Sequence, residues 1–135
     1  MACWLLKTEP GSYSFGDLAR DGRTVWEGVS NALAQKHLRA ARAGDEALVY
    51  HTGDEKSVVG LARIASDPYP DPSDAEGRRV VVDLEPVRRL PEVVSLGEIK
   101  ADPAFREFDL VRNSRLSVMP VPEPLRARLL ELGGL

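Results

Sequence analysis

The stretch that decides the fold is ALVYHTGDEKSVVGLARI, residues 47–64. It contains two apolar runs rich in β-branched residues, 47–52 and 58–64, and each is typical of a strand in a buried sheet. A third such run, 79–87, follows a loop at 67–72 that is rich in Pro and Asp. Because proline gives no backbone N–H to a sheet ladder, this loop is predicted to cross the surface. The middle of the chain is therefore predicted to be a block of three consecutive strands.

The segments before this block predict one strand and two helices. The first strand covers 3–7 and is ended by Pro10. Ser14, with Asp17 three residues later, has the pattern of a capping box, which begins a helix of one to two turns. A short extended or loop segment at 23–29 separates this helix from the next.

The second helix is predicted to begin at a cap supplied by Ser30 or Asn31 and to end at Gly44. The stripe that faces the core has the spacing i, i+3, i+4, i+7, at positions 34, 37, 38 and 41. His37 belongs to this stripe, and we interpret it as a half-buried helix residue.

The segments after the strand block predict short helices and one more strand. A capping box at Ser95 begins a helix that ends near Asp102, which in turn caps another short turn. A last strand is predicted at 115–118 and a closing helix at 125–132. This order lacks the regular alternation of a doubly wound fold. It predicts an α+β domain, in which helices flank a mixed sheet of about five to six strands that closes partly into a barrel.

Composition limits the class of protein further. The chain has 135 residues, a net charge of −3 and a single cysteine, Cys3. This length favours one domain over 1–135, and one cysteine excludes an intramolecular disulfide, so we expect a reducing, cytoplasmic setting. No apolar run approaches the ~18 residues of a membrane span, and the N-terminus lacks the pattern of a cleaved signal. Mild acidity argues against a protein that coats duplexes, but not against a pocket for one base.

The motifs of common catalytic and metal sites are absent from the sequence. His37 and His51 are the only histidines, and no His-x-x-x-His or Cys-x-x-Cys spacing occurs, so we expect no metal. No G-x-S-x-G elbow, Walker loop or G-x-G-x-x-G run occurs either. The sequence therefore predicts no catalytic residue and no cofactor.

Three segments are candidates for a binding site. Residues 4–10 place charged and hydroxyl groups at a strand end, and residues 25–31 place a tryptophan in a loop beside a helix start. Residues 110–117 bring together two Arg, one Asn and two Ser, a composition suited to a phosphate. Together they supply stacking, polar groups and a positive edge, which a nucleobase site needs.

Each segment also has a simpler interpretation. Lys7 and Glu9 are then solvated side chains, Trp26 covers the core, and Arg112 and Arg115 are paired with acids.

The same segments resemble a known family, the EVE domain. The opening of that domain is matched by WLLKTEP at 4–10, Tyr13-Ser14, and VWEGV at 25–29 with Asn31 and Ala34. The match continues in order through Gly44-Asp45, Tyr50-His51, Val59-Gly60, Tyr69-Pro70-Asp71 and SRLSVMPV at 114–121. The resemblance covers essentially the whole chain, and its first and last motifs are the most specific.

The resemblance implies a PUA-like fold, a mixed pseudo-barrel shared with PUA, ASCH and YTH domains. It also implies a pocket for a modified base in RNA or DNA, flipped out or presented single-stranded. We expect no membrane partner, and the sequence leaves the oligomeric state open, with a monomer favoured. Trp26 resembles the cage tryptophan with which YTH domains hold a methylated adenine. The residues assigned to the pocket by their motifs are Lys7, Thr8, Trp26, Asn31, Tyr50, His51, Thr52, Ser114 and Arg115.

Two departures from the family pattern concern the rim of this pocket. Ser30 stands where the family often has Arg, which removes one cation near the expected entrance. The segment at 52–56 is short and acidic. We therefore expect modest, salt-sensitive affinity for the nucleic-acid backbone, with most discrimination inside the pocket.

Three functions are compatible with the sequence. The first is a non-enzymatic module that recognises a modified nucleobase in an aromatic-walled pocket. The second is a small hydrolase acting on a modified nucleoside, as some ASCH relatives are, which would use Lys7 and Glu9 on one face of a strand. The third is a protein- or metabolite-binding module in which Trp4 and Trp26 belong to the core.

Overall fold

The computed structural model describes residues 1–135 and contains seven β-strands and five α-helices. The strands are β1 (Cys3–Thr8), β2 (Thr24–Trp26), β3 (Glu46–His51), β4 (Ser57–Ile64), β5 (Tyr69–Pro70), β6 (Val80–Ser95) and β7 (Val118–Pro120). The helices are α1 (Phe15–Asp21), α2 (Ala32–Ala40), α3 (Leu96–Ala101), α4 (Asp109–Arg112) and α5 (Glu123–Leu132), with a 3₁₀ turn at Pro103–Phe105.

All seven strands belong to one mixed arrangement with the order β2-β6-β4-β3-β1-β7, and β5 pairs with β6. β1 and β3 are parallel, and every other pair is antiparallel. Parallel neighbours need a crossover connection, and here residues 9–45 supply it, carrying α1, β2 and α2. The sheet curls into a half-barrel flanked by helices. This confirms the predicted α+β, PUA-like pseudo-barrel.

The sheet has seven strands because two very short strands, β2 and β5, join the five strands that the sequence analysis places. β2 lies in the segment expected to be extended or loop, and β5 lies in the predicted surface loop. In β5, Tyr69 pairs with Val81 and Pro70 with Val80. A proline is tolerated there because β5 covers only two residues at an edge, where its missing N–H disturbs no continuous ladder.

β6 is longer than the sequence predicts. It continues beyond Val87 through two prolines, Pro86 and Pro91. Its pairing with β4 shifts register between Val58 and Gly60, opposite the segment around Pro91, and again beside Pro86. Each proline therefore lies at an irregularity, where the ladder does not need its N–H.

The last strand begins later than predicted. β7 pairs Val118, Met119 and Pro120 with β1, whereas the expected strand covered 115–118. The N–H of Leu116 donates to the carbonyl of Asn113 at 3.2 Å, so the chain is still turning at that point.

The helix starts predicted from capping patterns are confirmed. The Ser14 hydroxyl accepts from the N–H of Asp17 at 3.0 Å, and the Asp17 carboxylate accepts from the N–H of Ser14 at 2.9 Å. Asn31, and not Ser30, caps α2 through its side-chain oxygen. The Ser95 hydroxyl caps α3 in the same way. None of the helices has the length and apolar character that crossing a bilayer requires.

A buried polar contact fixes the start of β1 against the turn before β3. The carboxylate of Asp45 accepts from the Trp4 indole at 3.0 Å and from the N–H groups of Ala2 and Arg42 at 3.1 and 2.9 Å. Burial on its own would raise the pKa of Asp45, but these hydrogen bonds to the carboxylate outweigh it and hold the pKa below its usual 3.8.

The lone cysteine has no reactive role in this environment. Cys3 is buried, and that burial, with the nearby Glu46 carboxylate, raises the pKa of its thiol to about 12. Because the thiolate is the nucleophile, Cys3 is inert at neutral pH.

We predict that Asp45→Ala lowers the free energy of unfolding by about 2–4 kcal/mol, because it leaves a buried indole and two backbone donors unpaired. Urea denaturation at neutral pH measures the effect. Since the Asp45 pKa is lowered in the folded state, the difference from wild type should shrink as pH falls through that pKa. Asp54→Ala removes an exposed carboxylate as the control and should change stability by less than about 0.5 kcal/mol. Equal stability of the two variants would contradict the assignment.

Candidate functional site

A cavity lies at the seam where the two ends of the curled sheet approach each other. The end of β1 and the residue before β7 form one side, and β2 with the loop after it forms the other. The cavity has a volume of about 430 Å³, within the range of ~300–1,000 Å³ that is usual for ligand pockets. Its lining residues are Lys7, Thr8, Ser12, Tyr13, Thr24, Val25, Trp26, Glu27, Gly28, Val29 and Ser117.

Trp26 lines the cavity and has an indole N–H that is unpaired within the protein. The residue pairs with Val82 of β6 and is only 7% exposed. Its indole Nε1 donates to no protein atom. Every fully buried side-chain nitrogen or oxygen of the protein has a hydrogen-bond partner, so this unpaired nitrogen is not fully buried. This N–H is therefore accessible, and the cavity is the space beside it. The Tyr13 ring meets the indole edge to face, with centroids 6.4 Å apart and planes at 81°.

Tyr13 is held in place from three directions. The Thr8 hydroxyl donates to its carbonyl at 2.7 Å, and its N–H donates to the carbonyl of Glu9 at 2.9 Å. Its own hydroxyl donates to the Asp21 carboxylate at 2.9 Å. Burial raises the pKa of Tyr13, and Asp21 raises it further, so the phenol stays neutral at physiological pH. These three hydrogen bonds fix Tyr13 beside Trp26, and we call this pair of rings the aromatic corner.

Lys7 brings a positive charge without a counter-ion to the cavity. Its ammonium donates to the carbonyl of Ser114 at 3.0 Å and lies 5.8 Å from the centroid of the Tyr50 ring. No carboxylate lies within 4.0 Å of it. Burial lowers the pKa of Lys7 below its usual 10.5. An ammonium with spare donors is available to an anionic or carbonyl oxygen of a ligand.

The loop after β2 adds backbone donors. The N–H groups of Glu27, Gly28 and Val29 make no hydrogen bond within the protein. Gly28 has a φ of 80°, which a residue with a side chain adopts only with strain, so glycine permits this turn. The lining of the cavity therefore includes two aromatic residues, a cation and several backbone donors that are unpaired within the protein.

Three of the nine predicted site residues line this cavity, and two more support one of them. Lys7, Thr8 and Trp26 are lining residues. Tyr50 and Ser114 lie behind Lys7, which contacts the ring of the first and the carbonyl of the second.

The other four predicted residues do not line the cavity, and three of them make hydrogen bonds elsewhere in the protein. Asn31 caps α2. His51 is buried, and its Nε2 accepts from the N–H of Phe15 at 3.0 Å while its Nδ1 faces Glu55 at 2.7 Å, so it anchors the start of α1. The Thr52 hydroxyl donates towards the carbonyl of Thr8 at 3.4 Å. Arg115 is exposed and forms no ion pair. A role in ligand contact stays a prediction for these four.

The sequence alone missed most of the lining, above all Tyr13 and Glu27. Both lie within motifs that carry the family resemblance, so a signal was present. The motifs do not show that residues 12–13 fold back beside β2. That approach follows from the hydrogen bonds of Thr8 and Glu9 to the turn.

The pair required by the hydrolase hypothesis is not assembled. The Glu9 carboxylate accepts from the N–H of Gly11 at 3.1 Å and from the hydroxyl of Thr52 at 3.3 Å. It forms no ion pair with Lys7 and does not line the cavity. No group of three or more His, Cys, Asp or Glu residues is arranged to hold a metal ion.

The fold and the cavity together define a small PUA-like domain with a cavity at the seam of its half-barrel. Residues 2–132 match the sequence model of the EVE domain, and the chain belongs to this family.

Relatives with names or solved structures support this assignment. Thymocyte nuclear protein 1 of Gallus gallus is 30% identical over 89% of this chain, which spans 64% of the length of that protein. An NMR structure of a protein from Rhodopseudomonas palustris superposes with a TM-score of 0.94 at 38% identity, covering 99% of this chain and 94% of that one.

Two further structures contain nucleic acid. Human THYN1 in complex with DNA containing 5-methylcytosine has a TM-score of 0.91 at 28% identity, covering 100% of this chain and 99% of that one. The YTH domain of Zygosaccharomyces rouxii MRB1, in complex with N6-methyladenosine RNA, has a TM-score of 0.61 at 20% identity, covering 99% and 87%. The latter similarity shows a shared fold.

We predict that the two indole N–H groups differ in exchange with solvent. The Nε1 proton of Trp26 should exchange at least about tenfold faster than that of Trp4, because only Trp4 donates to a carboxylate. Hydrogen–deuterium exchange followed by NMR measures both rates, and Trp4→Phe and Trp26→Phe assign the two signals. Comparable protection of both protons would mean that the Trp26 indole is closed off from the cavity.

Proposed function

We propose that this chain is a non-enzymatic binding module that recognises a modified nucleobase and encloses it in the seam cavity, the space lined by Trp26, Tyr13 and Lys7. The observation that carries the proposal is the accessible Trp26 indole beside a cavity of about 430 Å³. A base stacked on an aromatic ring gains ~1–3 kcal/mol regardless of its sequence context. The 5-methylcytosine DNA bound by human THYN1 supports the choice of ligand.

The apolar part of the lining supports the preference for a modified base. Val25 and Val29 line the cavity beside the aromatic corner. A methyl group that leaves water for such a surface contributes about 0.8 kcal/mol, or about fourfold in affinity. The same surface gives an unmodified base no equivalent contact.

The presentation of the base follows from the overall charge. Flipping a base out of a duplex costs a few kcal/mol, and this cost is smallest for single-stranded or damaged sites. A chain with a net charge of −3 has little general attraction for a duplex to offset it. The preferred ligand is therefore a single strand of RNA or DNA, or a base that is already extruded from a duplex. The cytoplasmic location of the protein stays a prediction.

The first test compares single-stranded oligonucleotides that differ only at the central position. Deoxyuridine flanks surround either 5-methyldeoxycytidine or deoxycytidine, and fluorescence anisotropy gives Kd. Wild type should bind the methylated strand about fourfold more tightly. Trp26→Ala should lose about tenfold or more of the affinity for it, because the stacking surface is gone.

The control for this test is Leu33→Ala, which removes an exposed apolar side chain of α2 that does not line the cavity. It should bind as wild type does. Because other modified bases fit the same cavity chemistry, the panel includes a strand with N6-methyladenine. If Trp26→Ala binds every strand as tightly as wild type does, the proposal is wrong.

A second prediction concerns Lys7 and pH. An anionic or carbonyl oxygen favours the ammonium form, so affinity is full below the pKa of Lys7 and is lost as pH rises through it. Burial lowers that pKa from 10.5, so the loss begins at a lower pH than for an ordinary lysine. As pH rises from neutral towards 10.5, wild-type affinity should fall while that of Lys7→Met, weaker by about tenfold at neutral pH, stays flat.

Lys100→Met is the matched control, since Lys100 is exposed and lies outside the cavity lining. It should retain both the affinity and the pH dependence of wild type. If Lys7→Met kept the pH dependence of wild type, Lys7 would not be the group that binds the ligand oxygen.

A further inference from the structure

We propose that Glu27 makes the seam cavity select bases that carry an exocyclic amino group over bases of the same shape that carry a carbonyl oxygen at that position. This inference rests on the proposed function and names the class of base within it.

Glu27 is the only carboxylate among the residues that line the cavity. Its side chain is exposed and forms neither a hydrogen bond nor an ion pair with the protein, so its acceptor oxygens are free for a ligand. It follows Trp26 directly in the chain and precedes the left-handed turn at Gly28. Trp26 is the last residue of β2 and Glu27 the first residue of the loop after it, so the end of this strand positions both side chains.

The polarity of the rest of the lining makes this carboxylate distinctive. Lys7, the Trp26 indole and the free backbone N–H groups are donors. The remaining polar side chains are hydroxyls, which donate or accept as the ligand requires. Among the side chains of the lining, Glu27 alone accepts without being able to donate, so it is the one side chain that requires a hydrogen on the ligand.

Base chemistry turns this requirement into a choice. Cytosine presents an amino group at N4 and adenine at N6, whereas thymine and uracil present the lone pairs of a carbonyl oxygen at O4. A carboxylate facing that oxygen makes no hydrogen bond and repels it. A site built to pair with an N–H group rejects the analogue that lacks it, because its own polar group is then left unpaired.

The ligand chemistry also offers a partner for Lys7. Cytosine and adenine have acceptor atoms on the same edge as the amino group, and an ammonium suits them. The two oppositely charged groups line one cavity without pairing with each other. An edge that combines an acceptor and an amino donor is complementary to this arrangement.

The experiment uses four single strands with deoxyuridine flanks and a central deoxycytidine, 5-methyldeoxycytidine, thymidine or deoxyuridine. The four differ in the 5-methyl group and in the pairing edge, which has an N4 amino group and an acceptor N3 in cytosine but O4 and an N3–H group in uracil and thymine. Each of these two differences is therefore measured twice. For wild type, we expect Kd for thymidine to exceed Kd for 5-methyldeoxycytidine by about tenfold. In Glu27→Gln the ratio should approach one, because an amide both donates and accepts.

The ratio is taken within each variant, which cancels the general gain in affinity when a negative charge is removed. Glu92→Gln removes an exposed, unpaired carboxylate outside the cavity lining and should keep the wild-type ratio. Glu27→Ala, which removes the acceptor altogether, should also abolish the preference.

Two results would overturn the inference alone. One is equal wild-type affinity for the 5-methyldeoxycytidine and thymidine strands, with binding still dependent on Trp26. The other is a ratio that survives in both Glu27 variants. If binding to all four strands is independent of Trp26, the proposed function fails and takes this inference with it.

Discussion

The parallel pairing of β1 with β3 is the constraint on which the rest of the structure depends. Because parallel neighbours cannot be joined by a tight turn, the chain between them must leave the sheet and return. The crossover uses that path to place β2 on β6, at the opposite end of the sheet from β1 and β7. A fully closed barrel has no free edges, whereas this half-barrel keeps a seam. The cavity lies in that seam, so its two walls come from the two ends of the strand order.

Local signals predicted much of the fold because they need few residues. The predicted caps at Ser14 and Ser95 gave the correct helix starts, since a hydroxyl that accepts from the N–H three residues later fixes one turn on its own. At Ser14 the Asp17 carboxylate completes a capping box, whereas at Ser95 the hydroxyl bond is the one formed. Strand limits that depend on distant partners were less accessible. Nothing local shows that β6 continues past Pro86 and Pro91, because the register shifts that tolerate these prolines are set by β4.

The candidate site shows the same difference between features that have a local signal and features that depend on distant partners. Trp26, Lys7 and Thr8 belong to motifs that lie directly on the cavity, and they were predicted from those motifs. Motif membership does not distinguish a lining residue from one that supports it, as Tyr50 does behind Lys7. Nor does it show that both ring nitrogens of His51 contact other residues of the protein. These distinctions depend on which face of a strand meets which neighbour, and a single sequence does not contain that information.

The brevity of β2 has a consequence for how such domains diversify. The strand contributes three residues to the sheet and leads into a loop whose N–H groups are not engaged elsewhere. Gly28 and Val29 are constrained by the left-handed backbone and by the core, but the exposed Glu27 between β2 and Gly28 has no side-chain contact with the scaffold. Substitutions at Glu27 therefore alter the surface that a ligand meets at little cost in folding, and selection at this one position changes ligand preference while the buried strands stay as they are.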